Sequence, residues 1–238
     1  FTCGDVDLKV TFTAPLFMKD LKLLSRPVNY LTYSVAARDG KEHEVEVYFE
    51  ASPRWALDQP YQQSASKGYE ADGLLYLKSG SKEQNILAKQ GDDLRIDWGY
   101  FYMVAGKENT AYSVGNSTEL RKNFVNGTLN SASLEGEDSN GNMALVRSHG
   151  KVKNVTDKIM LGYDDIYSIQ YFGTNLRPYW NSKGDRTIEA EMLAAYNEYD
   201  KLLARCYAFD KKLMEDASAA GGKEYAELCA LAYRQSIA

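Results

Sequence analysis

The chain has 238 residues, of which 44% are hydrophobic, so it can bury one large or two small hydrophobic cores. The formal net charge is -5 and lysine and arginine form no basic block, which excludes the electrostatic footprint of a nucleic-acid-binding protein. No apolar run approaches the roughly 20 residues that cross a bilayer, so membrane insertion is not expected.

Alternation of apolar and polar residues with a period of two predicts several half-buried β-strands. The clearest run is Val6 to Phe12, and two more alternating runs, 31–35 and 45–49, flank a turn-forming sequence at 38–41. This second pattern predicts a β-hairpin. The remaining predicted strands are Leu74 to Lys78, Leu94 to Trp98 continuing into Tyr100 to Val104, Met143 to Arg147, and Ile166 to Phe172.

The spacing of these strands indicates the fold class. Several short strands separated by turn sequences are typical of an antiparallel β-sandwich or barrel. Two stretches poor in core-forming residues, Asp58 to Asp72 and Asn126 to Asn142, are predicted to be surface loops. We therefore expect a mainly β protein with C-terminal α structure, in which residues 1–180 form an antiparallel β-sandwich.

The C-terminal residues have a helical pattern instead. From Thr187 onward apolar residues recur at spacings of three and four, and Gly221-Gly222 ends this period after about thirty residues. A second helix is predicted from Lys223, so residues 181–238 should form a long helical hairpin. No capping residue appears before Ala238, and we expect a truncated hairpin whose partner is the remainder of its own helical domain.

The cysteines and histidines predict no metal site. Cys206 and Cys229 lie on successive predicted helices about one turn out of register, which favours free thiols over a disulfide. Neither His43 nor His149 has a Cys, Asp or His partner at ligand spacing. The sequence also lacks a glycine-rich phosphate loop and a Gly-x-Ser-x-Gly sequence, so we expect no cofactor.

Asp164 and Asp165 are the candidate catalytic residues. They form an adjacent carboxylate pair within a run rich in tyrosine. Two carboxylates in apolar surroundings can acquire different pKa values and divide the acid and base roles of a hydrolase. Neighbours on a strand point to opposite faces, so only one of the two can enter a given site. The alternative is a turn or capping role at the end of a strand.

Three other residues are candidates for substrate binding. Arg177 offers a fork for a carboxylate, and Trp180 offers a stacking face for a sugar or an amino acid. Trp55 admits the same interpretation. The alternative for all three is a packed junction between the two predicted domains.

Five segments carry a resemblance to a known family. They are Leu8 to Ala14 (LKVTFTA), Asp39 to Phe49 (DGKEHEVEVYF), Ile96 to Tyr102 (IDWGYFY), Tyr163 to Gly173 (YDDIYSIQYFG) and Arg177 to Trp180 (RPYW). These segments resemble the glutaminase A family, and the resemblance extends over nearly the whole chain. In that family an N-terminal β-sandwich precedes a helical domain of six hairpins, and its members are extracellular or periplasmic proteins assigned as L-glutamine amidohydrolases.

The resemblance implies a function for the larger protein. The chain would be the sandwich and the first hairpin of a secreted or periplasmic amidohydrolase with a small-molecule substrate, and it would be inactive alone if the helical domain houses the chemistry. An alternative is an accessory domain of a glycoside-hydrolase-like protein that acts on a glycan, because fold does not fix function. A third is a structural or docking module without a ligand. The resemblance transfers no catalytic residue onto this sequence.

Overall fold

The structure, a computed structural model, describes residues 1–92, 94–129 and 141–236. In chain order the strands are β1 (Thr2–Cys3), β2 (Val6–Thr13), β3 (Val28–Ala37), β4 (His43–Ala51), β5 (Ser64–Ala71), β6 (Leu74–Ser81), β7 (Tyr100–Gly106), β8 (Thr110–Gly115), β9 (Asn142–Val152), β10 (Asn154–Asp164), β11 (Ile169–Tyr171) and β12 (Thr174–Leu176). The α-helices are α1 (Leu21–Ser25), α2 (Ser117–Val125) and α3 (Ile188–Gln235), and short 3-10 helices lie at Pro53–Ala56 and Tyr179–Asn181.

Two antiparallel sheets pack face to face as a β-sandwich. Within the described residues the larger sheet has seven strands in the order β1-β2-β3-β10-β7-β6-β5, and the smaller has three in the order β4-β9-β8. Leu77, Met103 and Ile159 of the larger sheet share one buried core with Met143 and Leu145 of β9. The antiparallel β-sandwich predicted from the alternating runs is confirmed.

The other face of the seven-stranded sheet is covered by α3. Tyr76, Val104 and Met160 point to this face and share a second buried core with Met192 and Ala195 of the helix. Because both faces of the central strands are buried, apolar residues occupy consecutive positions along them. The fold therefore has three layers, with the seven-stranded sheet in the middle.

α3 is a helical hairpin and not one straight helix. Gly222 has φ 84° and ψ -176°, and it separates a first arm, residues 188–221, from a second arm, residues 223–235. The ring centroids of Phe209 and Tyr233, on different arms, lie 5.1 Å apart, so the arms run antiparallel. These dihedral angles are essentially confined to glycine. The predicted hairpin is confirmed, and its turn lies at Gly222.

The three cysteines are free thiols. Cys206 is a buried residue of the first arm, Cys229 is half-buried on the second arm, and Cys3 is exposed on β1. The expectation that Cys206 and Cys229 are unpaired is confirmed.

Buried ion pairs fix the first turns of α3 to the rest of the chain. The side chain of Glu191 is 2% exposed, and its Oε2 accepts a hydrogen bond of 3.2 Å from Nε of Arg26. Arg186 lies against Oε1 as an ion pair, outside hydrogen-bond geometry. Arg26 also donates to Glu198 at 2.9 Å, but the side chain of Glu198 is 55% exposed. A carboxylate removed from water requires such partners, so Glu191 determines where the helix begins on the sheet.

A polar network closes one end of the space between the two sheets. The hydroxyl of Tyr33 is hydrogen-bonded to Nε2 of His149 at 2.7 Å and donates to Asp157 at 3.2 Å. Arg147 donates to the same carboxylate at 2.8 Å and also to the carbonyl of Gly106. Burial lowers the pKa of His149 below its ordinary value, with a smaller opposing effect from Asp157. The members of this network bond to each other, so we assign it a structural role.

The predicted hairpin across residues 31–49 is wrong. Both strands form, as β3 and β4, but β3 pairs with β2 and β10 whereas β4 pairs with β9 in the other sheet. The turn at 38–41 therefore carries the chain from one sheet to the other. A short polar turn can join two strands of one sheet or two strands of different sheets, so its sequence does not distinguish a hairpin from a crossover. The packing of distant strands decides which partner each strand takes.

Three further predictions need correction. Leu94 to Trp98 is not a strand, because its residues bond to neighbouring loops, as Asp97 does to Lys89 at 2.8 Å. The predicted strand Ile166 to Phe172 is reduced to the three residues of β11. The predicted loop Asp58 to Asp72 contains β5, whose polar residues lie at the edge of the sheet.

The structure also contains elements that the sequence patterns did not predict. These are β1, β8, β12, α1, α2, the two 3-10 helices and β10, which lies near the centre of the larger sheet. The predicted loop Asn126 to Asn142 lies largely outside the described residues, apart from its ends. Asn126 caps the C-terminus of α2, and Asn142 begins β9.

Candidate functional site

Aromatic segments from three parts of the chain meet at the end of β10. The indole Nε1 of Trp98 donates to the backbone carbonyls of Asp165 and Tyr167, at 2.8 and 3.0 Å. The hydroxyl of Tyr163 donates to the carbonyl of Trp98 at 2.5 Å. The guanidinium of Arg177 lies 4.9 Å from the centroid of the Tyr167 ring, a cation–π distance. We call these five residues the aromatic junction.

Gly99 allows the aromatic junction to close. Its φ is +77°, and a Cβ placed there would overlap the carbonyl oxygen of Asp164 and lie 2.9 Å from Cα of Asp165. Gln84 holds this backbone on the other side, since it accepts from the N–H of Gly99 at 2.7 Å and donates to its carbonyl at 3.1 Å. Both the dihedral angle and the close approach require glycine.

The two candidate catalytic carboxylates occupy different environments. Asp164 ends β10 on the α3 side of the sheet, and its Oδ1 accepts from the backbone N–H of Ile166 at 3.0 Å. Asp165 follows the strand, and its Oδ2 accepts from the hydroxyl of Ser168 at 2.5 Å. Asp165 therefore serves as a local turn cap, whereas Asp164 faces the space beside the helix.

The three candidate binding residues lie apart from one another. Arg177 is exposed in the aromatic junction, Trp180 is buried in a 3-10 helix, and Trp55 is exposed with its ring 5.0 Å from that of Phe101. Among the described residues, no hydrogen bond or ion pair joins any of them to Asp164. The structure thus brings Arg177 close to the Asp165 turn but does not assemble the predicted residues into one site.

Two lysines and three tyrosines lie beside the first turn of α3. Lys67 on β5 is the register partner of Lys78 on β6, and Lys78 in turn lies opposite Tyr102 on β7. The ammonium of Lys78 is 3.5 Å from the ring centroid of Tyr100 and 5.6 Å from that of Tyr102. The ammonium of Lys67 is 5.6 Å from the ring centroid of Tyr69. We call these five residues the lysine–tyrosine cluster.

Glu189, in the first turn of α3, borders this cluster. Its carboxylate accepts a hydrogen bond of 2.7 Å from the hydroxyl of Tyr69, and its carbonyl accepts one of 3.4 Å from Tyr76. The rings of Tyr69 and Tyr76 are stacked with centroids 5.1 Å apart. Burial, and secondarily the charge of Glu189, raise the pKa of Tyr76 to about 12. The tyrosine hydroxyls therefore stay protonated and act as donors near neutral pH.

The pKa values of two groups in this region shift in opposite directions. Burial raises the pKa of the Asp164 carboxyl, against the smaller opposing effects of the Ile166 N–H and the Lys78 charge. Burial lowers the pKa of the Lys78 ammonium, and the positive charge of Lys67 acts in the same direction. Opposed shifts of an acid and a base are typical of sites that move protons or bind charged ligands.

Sequence reasoning identified Asp164 here but missed the lysines, the tyrosines and Glu189. Their proximity depends on the register of β5, β6 and β7 and on the position of α3, neither of which a single segment encodes. One signal was available in the predicted strand Leu74 to Lys78. Its alternation places Lys78 on the same face as Leu74 and Tyr76, so a lysine interrupts an otherwise apolar face.

A separate cleft of ≈ 790 Å³ lies between β2 and the two arms of α3. Its walls are mostly apolar and aromatic and include Phe12, Trp55 and Tyr207, while Asp210 and Arg234 contribute charge. Trp55 is the one predicted site residue in its lining. The cleft and the lysine–tyrosine cluster share no lining residue, so they are distinct features.

Within the described ranges, no three His, Cys, Asp or Glu side chains gather as a potential metal site. His43 bonds to Asp39 at 2.9 Å, and His149 belongs to the polar network between the sheets. In the part of the chain that the structure describes, none of the helices combines the length and the apolar character of a membrane span.

The sequence profile of a family described as a domain of unknown function, DUF5127, matches residues 1–216. The chain belongs to the DUF5127 family. This DUF5127 chain is also similar to a glutaminase A from Aspergillus oryzae (strain ATCC 42149 / RIB 40), with 27% identity over 253 aligned residues. The alignment covers 99% of the chain but 36% of the fungal protein, so the chain spans little more than a third of the length of this relative.

The DUF5127 match includes the lysine–tyrosine cluster and the aromatic junction. It extends through both sheets and ends at residue 216, inside the first arm of α3. The residues that bring Asp164, Lys78 and Glu189 together therefore all lie within the matched region.

Proposed function

We propose that this DUF5127 chain is the sandwich and the first hairpin of a glutaminase-A-like amidohydrolase, which converts L-glutamine to glutamate and ammonia. The observation that carries the proposal is the similarity to glutaminase A along 99% of the chain. Because the chain spans 36% of that relative, the activity of the whole protein is itself part of the proposal.

The first proposed role of the sandwich is to support a helical catalytic domain. Tyr30 donates a hydrogen bond of 3.0 Å to the carbonyl of Ala195, and Tyr76 donates to that of Glu189, so the sheet fixes α3 along its axis. The buried ion pairs of Glu191 add a second anchor at the start of the helix. The proposed partners of this platform are further hairpins of the same helical domain.

The second proposed role is to form one wall of the active site. Amide hydrolysis requires a group that delivers a proton to the leaving ammonia, and a carboxyl with a raised pKa is suited to this task. Asp164 is such a carboxyl, whereas Asp165 is engaged by Ser168. Arg177 is exposed beside the turn after β10 and is a proposed substrate contact. Trp55 is also exposed but lines the separate cleft, so its role in substrate binding stays a prediction.

Trp180 has a different proposed role. Its side chain is buried, so it would support the substrate-binding wall by packing rather than by direct contact. Asp165 would likewise act on the reaction only by shaping the turn after β10.

The proposal is tested by two assays on the full-length protein. Release of ammonia from L-glutamine is expected, and release of reducing sugar from a glycan panel is not. Asp164→Asn should lower kcat by roughly 100-fold or more, the usual contribution of a general acid, with Asp165→Asn as the matched comparison that lowers it far less. The 238-residue chain alone is expected to release no ammonia.

Two outcomes would contradict the proposal. Sugar release without ammonia release would favour the glycoside-hydrolase-like alternative. Ammonia release by the 238-residue chain, abolished by one substitution within it, would contradict the supporting role of the sandwich.

The proposed location is outside the cytoplasm, in the periplasm or the extracellular medium. Three Asn-x-Ser/Thr sequences, at Asn116, Asn126 and Asn154, are compatible with secretion. Fractionation of the native host should recover the protein outside the cytoplasm, and recovery from the cytoplasm alone would contradict this part.

A further inference from the structure

Two lysines face each other on the α3 side of the seven-stranded sheet. Lys67 and Lys78 are register partners on β5 and β6. Directly opposite residues have Cβ atoms about 5 Å apart, and like charges in such positions destabilise the strand pair. A bound anion between the two ammonium groups would reverse this effect.

Within the described ranges, no ion pair neutralises these two charges. Among the described residues, neither Lys67 nor Lys78 has a carboxylate within 4.0 Å. Lysines elsewhere on the same edge of the molecule do have partners, since Lys107 pairs with Glu70 at 2.6 Å and Lys89 pairs with Asp97 at 2.8 Å. What distinguishes Lys67 and Lys78 is that two lysines without such a partner among the described residues lie opposite each other in the strand register.

The surroundings of Lys78 favour direct contact of its ammonium group with an anion over hydration of that group. Its side chain is half-buried, and its ammonium lies over the ring of Tyr100, which excludes water from that side. Charge interactions strengthen as water is excluded. The lowered pKa of the Lys78 ammonium reports the same desolvation, which a bound carboxylate would offset.

Two acidic groups lie near Lys78. Asp164 and Glu189 are close enough for their charges to act on its ammonium, but both lie beyond ion-pair distance. Glu189 is held in place by its hydrogen bond from Tyr69. The site thus presents two cations, a fixed carboxylate and an acid with a raised pKa, separated from each other.

We infer that Lys67 and Lys78 bind the carboxylate of a free α-amino acid, and that Glu189 faces its ammonium group. Asp164 is then left to face the side-chain amide. The inference rests on the proposed function, because glutamine is an amino acid that carries all three groups.

The first test uses the 238-residue chain, the lysine acylating reagent acetic anhydride and mass spectrometry. Saturating L-glutamine should slow acylation of Lys67 and Lys78 several-fold, whereas L-glutaminamide, which lacks the carboxylate, should not. Lys158 is the internal control, since it lies on the same sheet face over the rings of Tyr196 and Tyr199. The acylation rates of Lys67 and Lys78 are divided by that of Lys158, because the free α-amino group of either compound also consumes acetic anhydride.

The second test measures the affinity for L-glutamine by titration calorimetry. Lys78→Gln should weaken binding about tenfold or more, as expected when a charge-assisted hydrogen bond is lost, and Lys78→Arg should retain most of it. Lys158→Gln is the matched control and should bind like the parent chain. Lys67→Gln changes an exposed side chain, so it repeats the test if Lys78→Gln does not fold.

The outcomes separate this inference from the proposed function. Equal protection by the two compounds, or protection by neither, overturns the inference. Carboxylate-specific protection without glutamine hydrolysis by the full-length protein would contradict the proposed function and support the binding site. Glutamine hydrolysis with an unchanged KM in both Lys78→Gln and Lys67→Gln would contradict the binding site and support the proposed function.

Discussion

Substitution of Gly99 by alanine tests whether the aromatic junction depends on close backbone approach. The φ of +77° costs a non-glycine residue about 1 to 2 kcal/mol. The added Cβ would also overlap the carbonyl of Asp164 and crowd Cα of Asp165, and such overpacking typically costs about 1 to 3 kcal/mol more. We expect Gly99→Ala to lower the free energy of unfolding by about 2 to 5 kcal/mol, which corresponds to a fall in Tm of roughly 4 to 20 °C for a chain of this size.

Gly73→Ala is the matched control for this measurement. Gly73 has almost the same φ, +78°, but a Cβ there would meet nothing within 4 Å. The free energy of unfolding of Gly73→Ala should therefore fall only by the cost of the dihedral angle, about 1 to 2 kcal/mol. Urea unfolding of both variants gives the difference directly. If Gly99→Ala loses no more stability than Gly73→Ala, close approach to β10 is not the reason for glycine at this position.

Four further substitutions have effects whose direction follows from the structure. Glu191→Gln should lower the free energy of unfolding by about 1.5 to 3 kcal/mol, because it removes the buried carboxylate that pairs with Arg26 and Arg186. Glu198→Gln, on the exposed side of the same cluster, should cost less than about 1 kcal/mol, and urea titration compares the two variants. His149 binds its proton less readily in the folded chain, so acidification from pH 7.5 towards pH 5 should destabilise the protein, and His149→Gln should show a shallower fall in Tm over that range. The pKa of Asp164 is higher in the folded chain than in the unfolded chain, so its negative charge lowers the stability at pH 7. Asp164→Asn should therefore raise Tm at pH 7. The gain should vanish below about pH 4, where the carboxyl is protonated in both states. A Tm that is lower in Asp164→Asn at pH 7 would contradict this assignment.

The strands predicted from sequence were of two kinds, those with one wet face, such as β2, and short apolar runs, such as β6 and β7. β2 alternates cleanly because one side contacts the core and the other contacts water. β10 was missed because Ile159, Met160 and Leu161 are all apolar, being buried between the small sheet and α3. A period-two test fails for a strand covered on both faces. The hairpin of α3 was predictable because Gly222 ends a long helical period.

The candidate site was less accessible to sequence reasoning than the fold. Asp164 stood out because it lies in an aromatic segment, but its neighbours Lys78 and Glu189 are far from it in sequence and meet it only in the folded chain. Lys67 carried no signal by itself, because an exposed lysine on an edge strand is common. Its interest comes from the register that places it opposite Lys78.

The strand order of the larger sheet has a consequence for how the protein is made. β3 pairs on one side with β2, which precedes it closely, but on the other side with β10, which is synthesised far later. Until Asp164 has left the ribosome, β3 and β7 therefore both expose unpaired edges. Such late, long-range pairing slows folding and favours association of nascent chains. A nonsense mutation before β10 should thus yield aggregates, whereas one within α3 would leave the strand pairing complete and uncover only the apolar face beneath the helix.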